Sequence, residues 1–194
     1  MMAKLIRTAR LQLRPFTATD APAMFRLGND PLVMRYIGSP PMQTEDEALA
    51  YLQSHPLHDY QRTGFGRLAI VWPATGEIIG FCGLKWVDEI DGFDLGYRLL
   101  QPYWGQGLAV EASLAVLADA KQRPVQCPQG RAQQQIYGLV HPQNQGSIRV
   151  LEKLGFMYQR DILFSLLPEQ AVQQFGLLLD SVTIPSAFST NSGT

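Results

Sequence analysis

The chain contains few cysteines and few histidines, and this limits the chemistry that it can support. Its 194 residues include two cysteines and three histidines. Cys82 lies in an apolar, strand-like run and Cys127 in a polar segment, a spacing that favours neither a disulfide framework nor a metal site. His55 and His58 flank Pro56, which disturbs a helix, and no cysteine or carboxylate cluster completes a coordination sphere. We therefore predict two free thiols, no metal, and loop histidines.

An excess of charge of one sign is also absent. Lys and Arg total 16 and Asp and Glu total 17, a formal net charge of −1. Proteins whose main role is nucleic-acid binding usually have a basic excess. No segment reaches the roughly 18 uninterrupted apolar residues of a membrane span, and the opening residues contain no apolar run typical of a signal peptide. We therefore predict a cytoplasmic protein without nucleic-acid or membrane partners.

The most informative segment covers residues 93–115. Its first part alternates apolar with polar or small residues, as a strand with two different faces does; the apolar positions are Leu95, Tyr97 and Leu99. Gly105 and Gly107 follow, and from Leu108 the sequence is apolar and helix-forming. A helix beginning there would direct free N–H groups and its positive dipole end toward the glycines, where an anion can approach closely. The segment predicts a site for a phosphorylated organic ligand.

Two glycines between a strand and a helix are equally consistent with a simple tight connection. A dinucleotide-binding fingerprint would need a third glycine at Val110 and an early place in a βαβαβ series. A nucleoside-triphosphate loop would need a Gly-Lys-Ser/Thr ending. Neither pattern is present, so other segments must decide.

Three separated segments resemble the GNAT superfamily of acetyl-CoA-dependent N-acetyltransferases, and specifically its RimJ/RimL-type ribosomal-protein acetyltransferase branch. The family's pyrophosphate loop has the form Gln/Arg-x-x-Gly-x-Gly/Ala, and residues 104–109 (WGQGLA) are similar except for Trp104 at the first position. Residues 8–15 resemble the opening strand of the branch. Residues 140–156 resemble its later strand, Asn-x-x-Ser helix start and Lys-Leu-Gly-Phe exit. The resemblance covers about residues 8–166.

The resemblance implies a GNAT fold of the α+β (mixed α/β) class. Its central sheet would be twisted, mostly antiparallel, built of six to seven strands, splayed in the middle and flanked by about four helices. The acetyltransferase domain would cover residues 1–168, and residues 169–194 would form a C-terminal extension with a short helix and a disordered end. The polar residues 121–135 are expected to form a mobile surface loop. Monomer and homodimer both stay open.

The resemblance also implies how acetyl-CoA, the expected cosubstrate, is held. The strand before the glycines would separate from residues 136–140, and pantetheine would pair in the gap with the main chain of Leu99 and Leu100. Asn144 would contact the pantetheine arm. The pyrophosphate would be bound by backbone amides of Gly105, Gln106, Gly107, Leu108 and Ala109.

Catalysis in the family is a direct attack of a neutral amine on the thioester, which needs a proton acceptor, an N–H near Leu99 for the carbonyl oxygen, and a proton donor for sulfur. Many members place a Tyr four residues before the glycine of the exit motif, where this chain has Leu151. Ser147 matches a Ser of the RimJ/RimL-type branch and is the predicted donor. A Ser in a first helical turn also often satisfies only backbone donors.

Asp94 is the candidate base, because the branch commonly shows an acidic residue ahead of Gly-Tyr. A solvated acid at a strand end is an equal interpretation. Relatives often have Glu where this chain has Gln159, so deprotonation of the amine by water also stays open. An acyl-carrying role for Cys82 is a further alternative, although no His or Asn adjoins it in sequence.

The predicted activity is transfer of the acetyl group of acetyl-CoA to a primary amine. The branch resemblance favours a protein or peptide N-terminal amine, received in a cleft formed by residues 25–54. A small-molecule amine is the close alternative. A non-catalytic acetyl-CoA-binding sensor domain is the other, because the Tyr is replaced, Gln159 replaces an acid and the loop at residues 121–135 is long.

Overall fold

The computed structural model describes residues 5–123 and 125–183. Within them, one sheet has the strand order β1-β2-β3-β4-β5-β6-β8-β7. The strands are β1 (Ile6–Arg7), β2 (Gln12–Arg14), β3 (Arg67–Trp72), β4 (Glu77–Val87), β5 (Gly92–Leu99), β6 (Gln135–Val140), β7 (Met157–Phe164) and β8 (Leu167–Leu178). The α-helices are α1 (Ala21–Asn29), α2 (Pro31–Met34), α3 (Glu45–Ser54), α4 (Pro56–Thr63), α5 (Leu108–Gln122) and α6 (Gln145–Lys153). The predicted mixed, mostly antiparallel class is confirmed, with eight strands rather than six or seven.

Apolar cores lie on both faces of the sheet. On one face α5 packs against β4 and β5, and its apolar composition matches its burial, since Ala112 and Leu117 are fully buried. On the other face α1 and α3 contribute Met24, Leu27 and Leu52. No helix among the described residues is both long enough and apolar enough to cross a membrane.

The sheet divides between β5 and β6, the one parallel pair of neighbouring strands described. β5 pairs with β4 along its full length, but with β6 only at Phe93↔Ile136 and Asp94↔Tyr137. At the next step the Asp94 carboxylate accepts a hydrogen bond from the Leu139 N–H at 3.0 Å. A side chain therefore replaces the backbone partner that Leu139 would have in a continuous sheet, and the predicted splay is confirmed. We call the gap beyond Asp94 the cleft.

Several local predictions are confirmed. β3 and β4 form the expected antiparallel hairpin. Asp30 caps α2 by accepting from the N–H groups of Leu32 and Val33. Gly155 adopts a φ of 87° after α6, and the Phe156 N–H donates to the Leu151 carbonyl at 3.0 Å. This is the left-handed helix end that a Gly-Phe exit favours.

The prediction of loop histidines is wrong for His58, whereas His55 lies in the turn between α3 and α4. Pro56 is the first residue of α4, and His58 lies in that helix. Proline is favourable at the first helical position, because its missing N–H has no intrahelical acceptor there and its φ is already helical. His55 precedes the helix, and its ring stacks on Tyr51 with centroids 4.5 Å apart.

The segment after residue 166 is a strand, and the short helix predicted there is wrong. β8 lies between β6 and β7 and pairs antiparallel with both. Its apolar end, with Phe175 and Leu177 buried, suits an interior strand as well as a helix. A division at residue 168 would separate β8 from the sheet that it completes. The predicted disorder at residues 184–194 lies outside the described residues.

Residues 121–135 are only partly an exposed loop. The first two belong to α5, and Gln126 and Ala132 form an isolated antiparallel bridge. Val125 and Cys127 are buried and belong to the core on the α5 face. Cys127 therefore lies in a more apolar environment than its polar sequence neighbours suggest.

Candidate functional site

A cavity of about 520 Å³ opens at the cleft. Its walls come from the end of β5, the glycine loop at residues 104–109, the first turn of α5, α6, and the segment of residues 32–37 at α2. Tyr97 and Arg98 both line it. Because consecutive strand residues point to opposite faces of a sheet, residues from both faces line the cavity at the end of β5.

The glycine loop exposes the start of α5 to the cavity. Gly105 and Gly107 have φ of 72° and 77°, a region that favours glycine. Gly107 is the N-cap of α5, and no side chain makes a capping hydrogen bond there. A Cβ added at Gly105 would meet nothing within 4 Å. The unbonded N–H groups of the first turn, together with the helix dipole, therefore favour an anion at this place.

Four of the five predicted loop residues line the cavity: Gly105, Gly107, Leu108 and Ala109. Gln106 is not among its lining residues. The Gln106 side chain donates to the Pro102 carbonyl at 2.9 Å, and its own carbonyl accepts from Arg10 at 3.0 Å. Its contacts therefore stabilise the loop.

The first turn of α5 is fixed to the N-terminal strands through Glu111. Its carboxylate accepts from the Thr8 hydroxyl at 2.6 Å and from the Arg10 N–H at 2.9 Å, and it forms an ion pair with the Arg10 guanidinium. Burial raises the pKa of Glu111, but the hydrogen bonds from Thr8 and Arg10 outweigh it and leave the pKa below the ordinary glutamate value. A carboxylate in the first turn of a helix also interacts favourably with the helix dipole, and these contacts add to that effect.

Leu99 and Leu100, which were predicted to pair with pantetheine, direct their backbone groups to opposite sides of β5. The Leu100 N–H donates to the Ile79 carbonyl at 2.9 Å, so β4 already occupies it, and Leu100 packs against the α1 and α3 core. The N–H and carbonyl of Leu99 face the opposite way, toward the cleft. The Leu99 carbonyl accepts from Trp104 Nε1 at 2.7 Å. The backbone of Leu99 is therefore placed to pair with pantetheine in the cleft, whereas Leu100 does not line the cavity.

Asn144 and Ser147 lie on the α6 side of the cavity. The Asn144 Oδ1 accepts from the Ser147 N–H at 3.1 Å, so Asn144 is the N-cap of α6. The Ser147 hydroxyl lies 2.8 Å from the hydroxyl of Tyr97, which also reaches the Ser147 carbonyl at 3.0 Å. Burial raises the pKa of Tyr97, although its hydrogen bond with Ser147 acts in the opposite direction. The phenol is therefore protonated at neutral pH.

Asp94 is buried beside the cleft and does not line the cavity. Its Oδ2 accepts from Arg67 Nη2 at 2.5 Å, and its Oδ1 accepts from the Leu139 N–H. Arg67 Nη1 also donates to the carbonyls of Asp94 and Gly83. With both carboxylate oxygens engaged, this geometry favours a structural role for Asp94 over the predicted role as base, which stays a prediction.

Cys82 has no access to the cavity. It is fully buried, its Sγ lies 3.5 Å from the Ser113 hydroxyl, and burial raises its pKa to about 11. A protonated, inaccessible thiol is a poor nucleophile. This argues against the acyl-carrying alternative. Cys82 and Cys127 are both free thiols, and the described residues contain no group of His, Cys, Asp and Glu that could hold a metal ion.

Four positively charged side chains line the cavity, and its described lining residues include no Asp or Glu. The cations are Arg35, Arg98, Arg149 and Lys153. The sequence alone did not indicate a role for Arg98 or Trp104, although both adjoin residues of the predicted site. The contact of Tyr97 with Ser147 spans 50 residues of sequence, so the local sequence pattern did not indicate it.

Comparisons with known proteins agree with this geometry. Residues 10–157 match the family model described as "Acetyltransferase (GNAT) domain". An uncharacterized N-acetyltransferase, p20, from Bacillus licheniformis is 30% identical over 77% of this chain and 80% of its own length.

Two solved structures are similar across nearly the whole chain. The acetyltransferase from Agrobacterium tumefaciens has a TM-score of 0.73 and 26% identity, covering 91% of this chain and 95% of its own. RimL, described as a ribosomal L7/L12 α-N-protein acetyltransferase in complex with coenzyme A, has a TM-score of 0.73 and 18% identity, covering 91% and 99%. At that identity, RimL shows that the fold is shared.

Proposed function

The chain belongs to the GNAT acetyltransferase family, and we propose that it transfers the acetyl group of acetyl-CoA directly to a primary amine, with a protein or peptide N-terminal amine as the favoured acceptor. The observation that supports direct transfer most is the cavity at the cleft, whose lining residues come from both faces of the sheet. One substrate can approach from the α5 face while the other approaches from the α2 face. The two reactants can then meet at the end of β5 without a covalent enzyme intermediate.

The α5 face suits acetyl-CoA. The open backbone at Gly105 and Gly107 and the first-turn amides of Leu108 and Ala109 would bind the pyrophosphate. Pantetheine would continue along the cleft past Asn144 toward Leu99. Arg149 and Lys153, which also line the cavity, add positive charge for the phosphates.

The groups around the end of β5 meet two needs of the reaction. The Leu99 N–H, which faces the cleft, would donate to the thioester carbonyl oxygen as negative charge develops there. Ser147 would protonate the departing sulfur. The neutral Tyr97 hydroxyl holds the Ser147 hydroxyl in place and can return a proton to it.

Removal of the amine proton is assigned to water. Asp94 is engaged by Arg67 and Leu139, and Gln159 cannot accept a proton as a carboxylate does. Holding the amine close to the thioester can by itself contribute several kcal/mol, on the order of the effective-molarity effects of intramolecular reactions. In this mechanism the protein mainly positions reactants and stabilises the developing oxyanion.

The acceptor would enter from the segment at α2. Leu32, Val33, Tyr36 and Ile37 form an apolar wall there, within the predicted residues 25–54. The Tyr36 ring contacts His141 across the cleft, with centroids 5.0 Å apart. The resemblance to the RimJ/RimL-type branch favours a peptide N-terminus in this space, and a small amine also fits the cavity volume.

A thiol-release assay tests the activity. Acetyl-CoA would be incubated with the protein and a panel of N-terminal peptides and small amines, with product mass confirmed by mass spectrometry and acetyl-CoA binding measured by calorimetry. We expect release that depends on one acceptor class, with peptides preferred. Tight acetyl-CoA binding without release across the panel would contradict transferase activity and favour a sensor domain. Thiol release with small amines but not with peptides would show that the acceptor is a small molecule.

A further inference from the structure

Arg98 differs from the other partly buried arginines, because no carboxylate of the described residues pairs with it. Arg14, Arg67 and Arg123 each form an ion pair with an aspartate. Arg98 instead donates to the Met34 sulfur at 3.2 Å and lies over the Phe81 ring at 5.0 Å. Its Nε is buried without a hydrogen-bond partner. An unpaired, desolvated guanidinium has a high electrostatic cost unless a ligand supplies the missing charge.

Arg98 lines the cavity from the acceptor side. It follows Tyr97 on β5, so the two side chains leave the strand on opposite faces. Tyr97 contacts Ser147 on the face that suits acetyl-CoA, whereas Arg98 contacts Met34 of α2. The next residue is Leu99, whose N–H faces the thioester position. The guanidinium therefore lies near the place where an acceptor amine must be held.

We propose that Arg98 binds a carboxylate of the acceptor that lies a few bonds from the reacting amine. The proposal rests on the proposed transferase function and names a feature of its acceptor. Arginine binds carboxylates through two parallel N–H···O bonds, and such charged pairs are stronger away from water. Arg35 adds a second positive charge on this side, and the described lining residues include no Asp or Glu to oppose an anion. The same charges disfavour a polycationic acceptor.

The carboxylate has two possible sources with the same chemistry. It can be the α-carboxylate of a free amino acid, or the side chain of an acidic residue near the N-terminus of a peptide. The lowered pKa of Arg98, caused mainly by burial, indicates that its charge is not stabilised by the protein alone. Either source would supply that stabilisation on binding.

Matched acceptor pairs test the proposal. One arm compares L-serine with L-serinamide, and the other compares amidated tetrapeptides that begin Ser-Asp or Ser-Asn. For each pair the ratio of kcat/KM, acid over amide, is measured in the wild type, Arg98→Met, Arg98→Lys and Arg149→Gln. We expect Arg98→Met to lower the ratio by about 10- to 100-fold in one arm, as loss of a charged hydrogen bond predicts. The pair whose ratio falls, amino acid or peptide, identifies the source of the carboxylate.

The variants separate a binding role from a folding role. Arg98→Met places an apolar side chain of similar length beside Phe81 and Met34, and should keep the affinity for acetyl-CoA. Arg98→Lys keeps the charge and should retain part of the preference. Arg149→Gln removes a cavity charge that is assigned to the phosphates of acetyl-CoA, so it should weaken acetyl-CoA binding but leave the ratio unchanged. Unchanged ratios for Arg98→Met in both arms would overturn the proposal.

Failure of the enzyme activity would be recognised separately, as no thiol release by the wild type with any acceptor. The proposal would then be tested by calorimetry with two acid and amide pairs titrated into the complex with CoA: N-acetylserine with N-acetylserinamide, and N-acetylated, amidated tetrapeptides that begin Ser-Asp or Ser-Asn. Binding of the acid alone, lost in Arg98→Met, would support the carboxylate site. Equal binding of acid and amide, or binding of neither, would overturn it.

Discussion

The Tyr97 hydroxyl lies 2.8 Å from the Ser147 hydroxyl and thereby joins β5 to α6 across one face of the cleft. In the proposed mechanism, this contact positions the Ser147 hydroxyl beside the path of pantetheine. It also gives a Ser in a first helical turn a partner besides the helix backbone, since its own N–H is already capped by Asn144. The pair therefore combines a structural link with a candidate catalytic group.

Replacement of Ser147 by Ala should lower kcat by about 100-fold, as expected for loss of a general acid, and leave acetyl-CoA affinity nearly unchanged. Tyr97→Phe should have a smaller effect on kcat, because Ser147 would keep its hydroxyl but lose the partner that orients it. Steady-state kinetics and calorimetry measure the two quantities. Ser54→Ala, on α3 and away from the cavity, is the control. Unchanged kcat in Ser147→Ala would remove Ser147 from the mechanism.

Gly105 and Gly76 form a matched pair for testing the phosphate site. Their φ angles are 72° and 74°, and a Cβ added at either meets nothing within 4 Å. Substitution by Ala should therefore lower the free energy of unfolding by a similar amount, about 1–2 kcal/mol. Only Gly105→Ala should also weaken acetyl-CoA binding, by about tenfold, because its methyl group would crowd the approach of the pyrophosphate. Equal affinities in the two variants would argue against phosphate binding at the glycine loop.

Asp94→Asn tests whether the carboxylate is structural. We expect the free energy of unfolding to fall by about 3 kcal/mol, because Arg67 would keep a buried charge without its partner. Asp91→Asn is the control, since the Asp91–Arg131 ion pair is exposed and should contribute little to stability. Denaturant unfolding gives both values. The fall of kcat/KM at low pH should persist in folded Asp94→Asn. Loss of this pH dependence without loss of stability would identify Asp94 as the base.

Glu111 should make stability depend on pH in a defined direction. Its pKa in the folded chain is below its ordinary value of 4.5. The stabilisation is therefore fully present above pH 4.5 and is lost as the pH falls through the folded pKa. At neutral pH, Glu111→Gln should lower the free energy of unfolding by about 1–3 kcal/mol. The difference between the two proteins should shrink on acidification, and a difference that grows would contradict the assignment.

Both thiols should be unreactive in the native protein. Cys82 and Cys127 are buried, and the raised pKa of Cys82 keeps little thiolate present at pH 8. We expect no reaction with a disulfide reagent until the chain is unfolded, after which two thiols should react. Cys82→Ala should keep its kcat if transfer is direct. A trapped acetyl group on Cys82 would instead support a covalent intermediate.

Features of the site that depend on neighbouring residues could be predicted from the sequence. Gly105, Gly107 and the apolar residues after them specify a turn followed by a buried helix, and Asn144 specifies a helix start. These signals act within a few residues, through backbone conformation and capping. The same is true of the exit at Gly155.

Contacts between distant residues could not be predicted in this way. Asp94 meets Arg67 across 27 residues and Leu139 across 45, so its burial depends on how the strands align. Its sequence neighbours suggest a solvated strand end. The position of β8 is a comparable case, because an apolar run fits a helix or an interior strand until its partners are known. The lack of a carboxylate partner for Arg98 among the described residues likewise depends on the folded arrangement, and the sequence alone does not indicate it.

The Leu139 N–H is already satisfied by Asp94 where the strands part, so this donor does not draw β5 and β6 together. The separation of the two strands is therefore built into the fold. The energy of substrate binding is not needed to break a β5–β6 hydrogen bond at Leu139. That energy is left for ordering the flexible pantetheine chain and the amine.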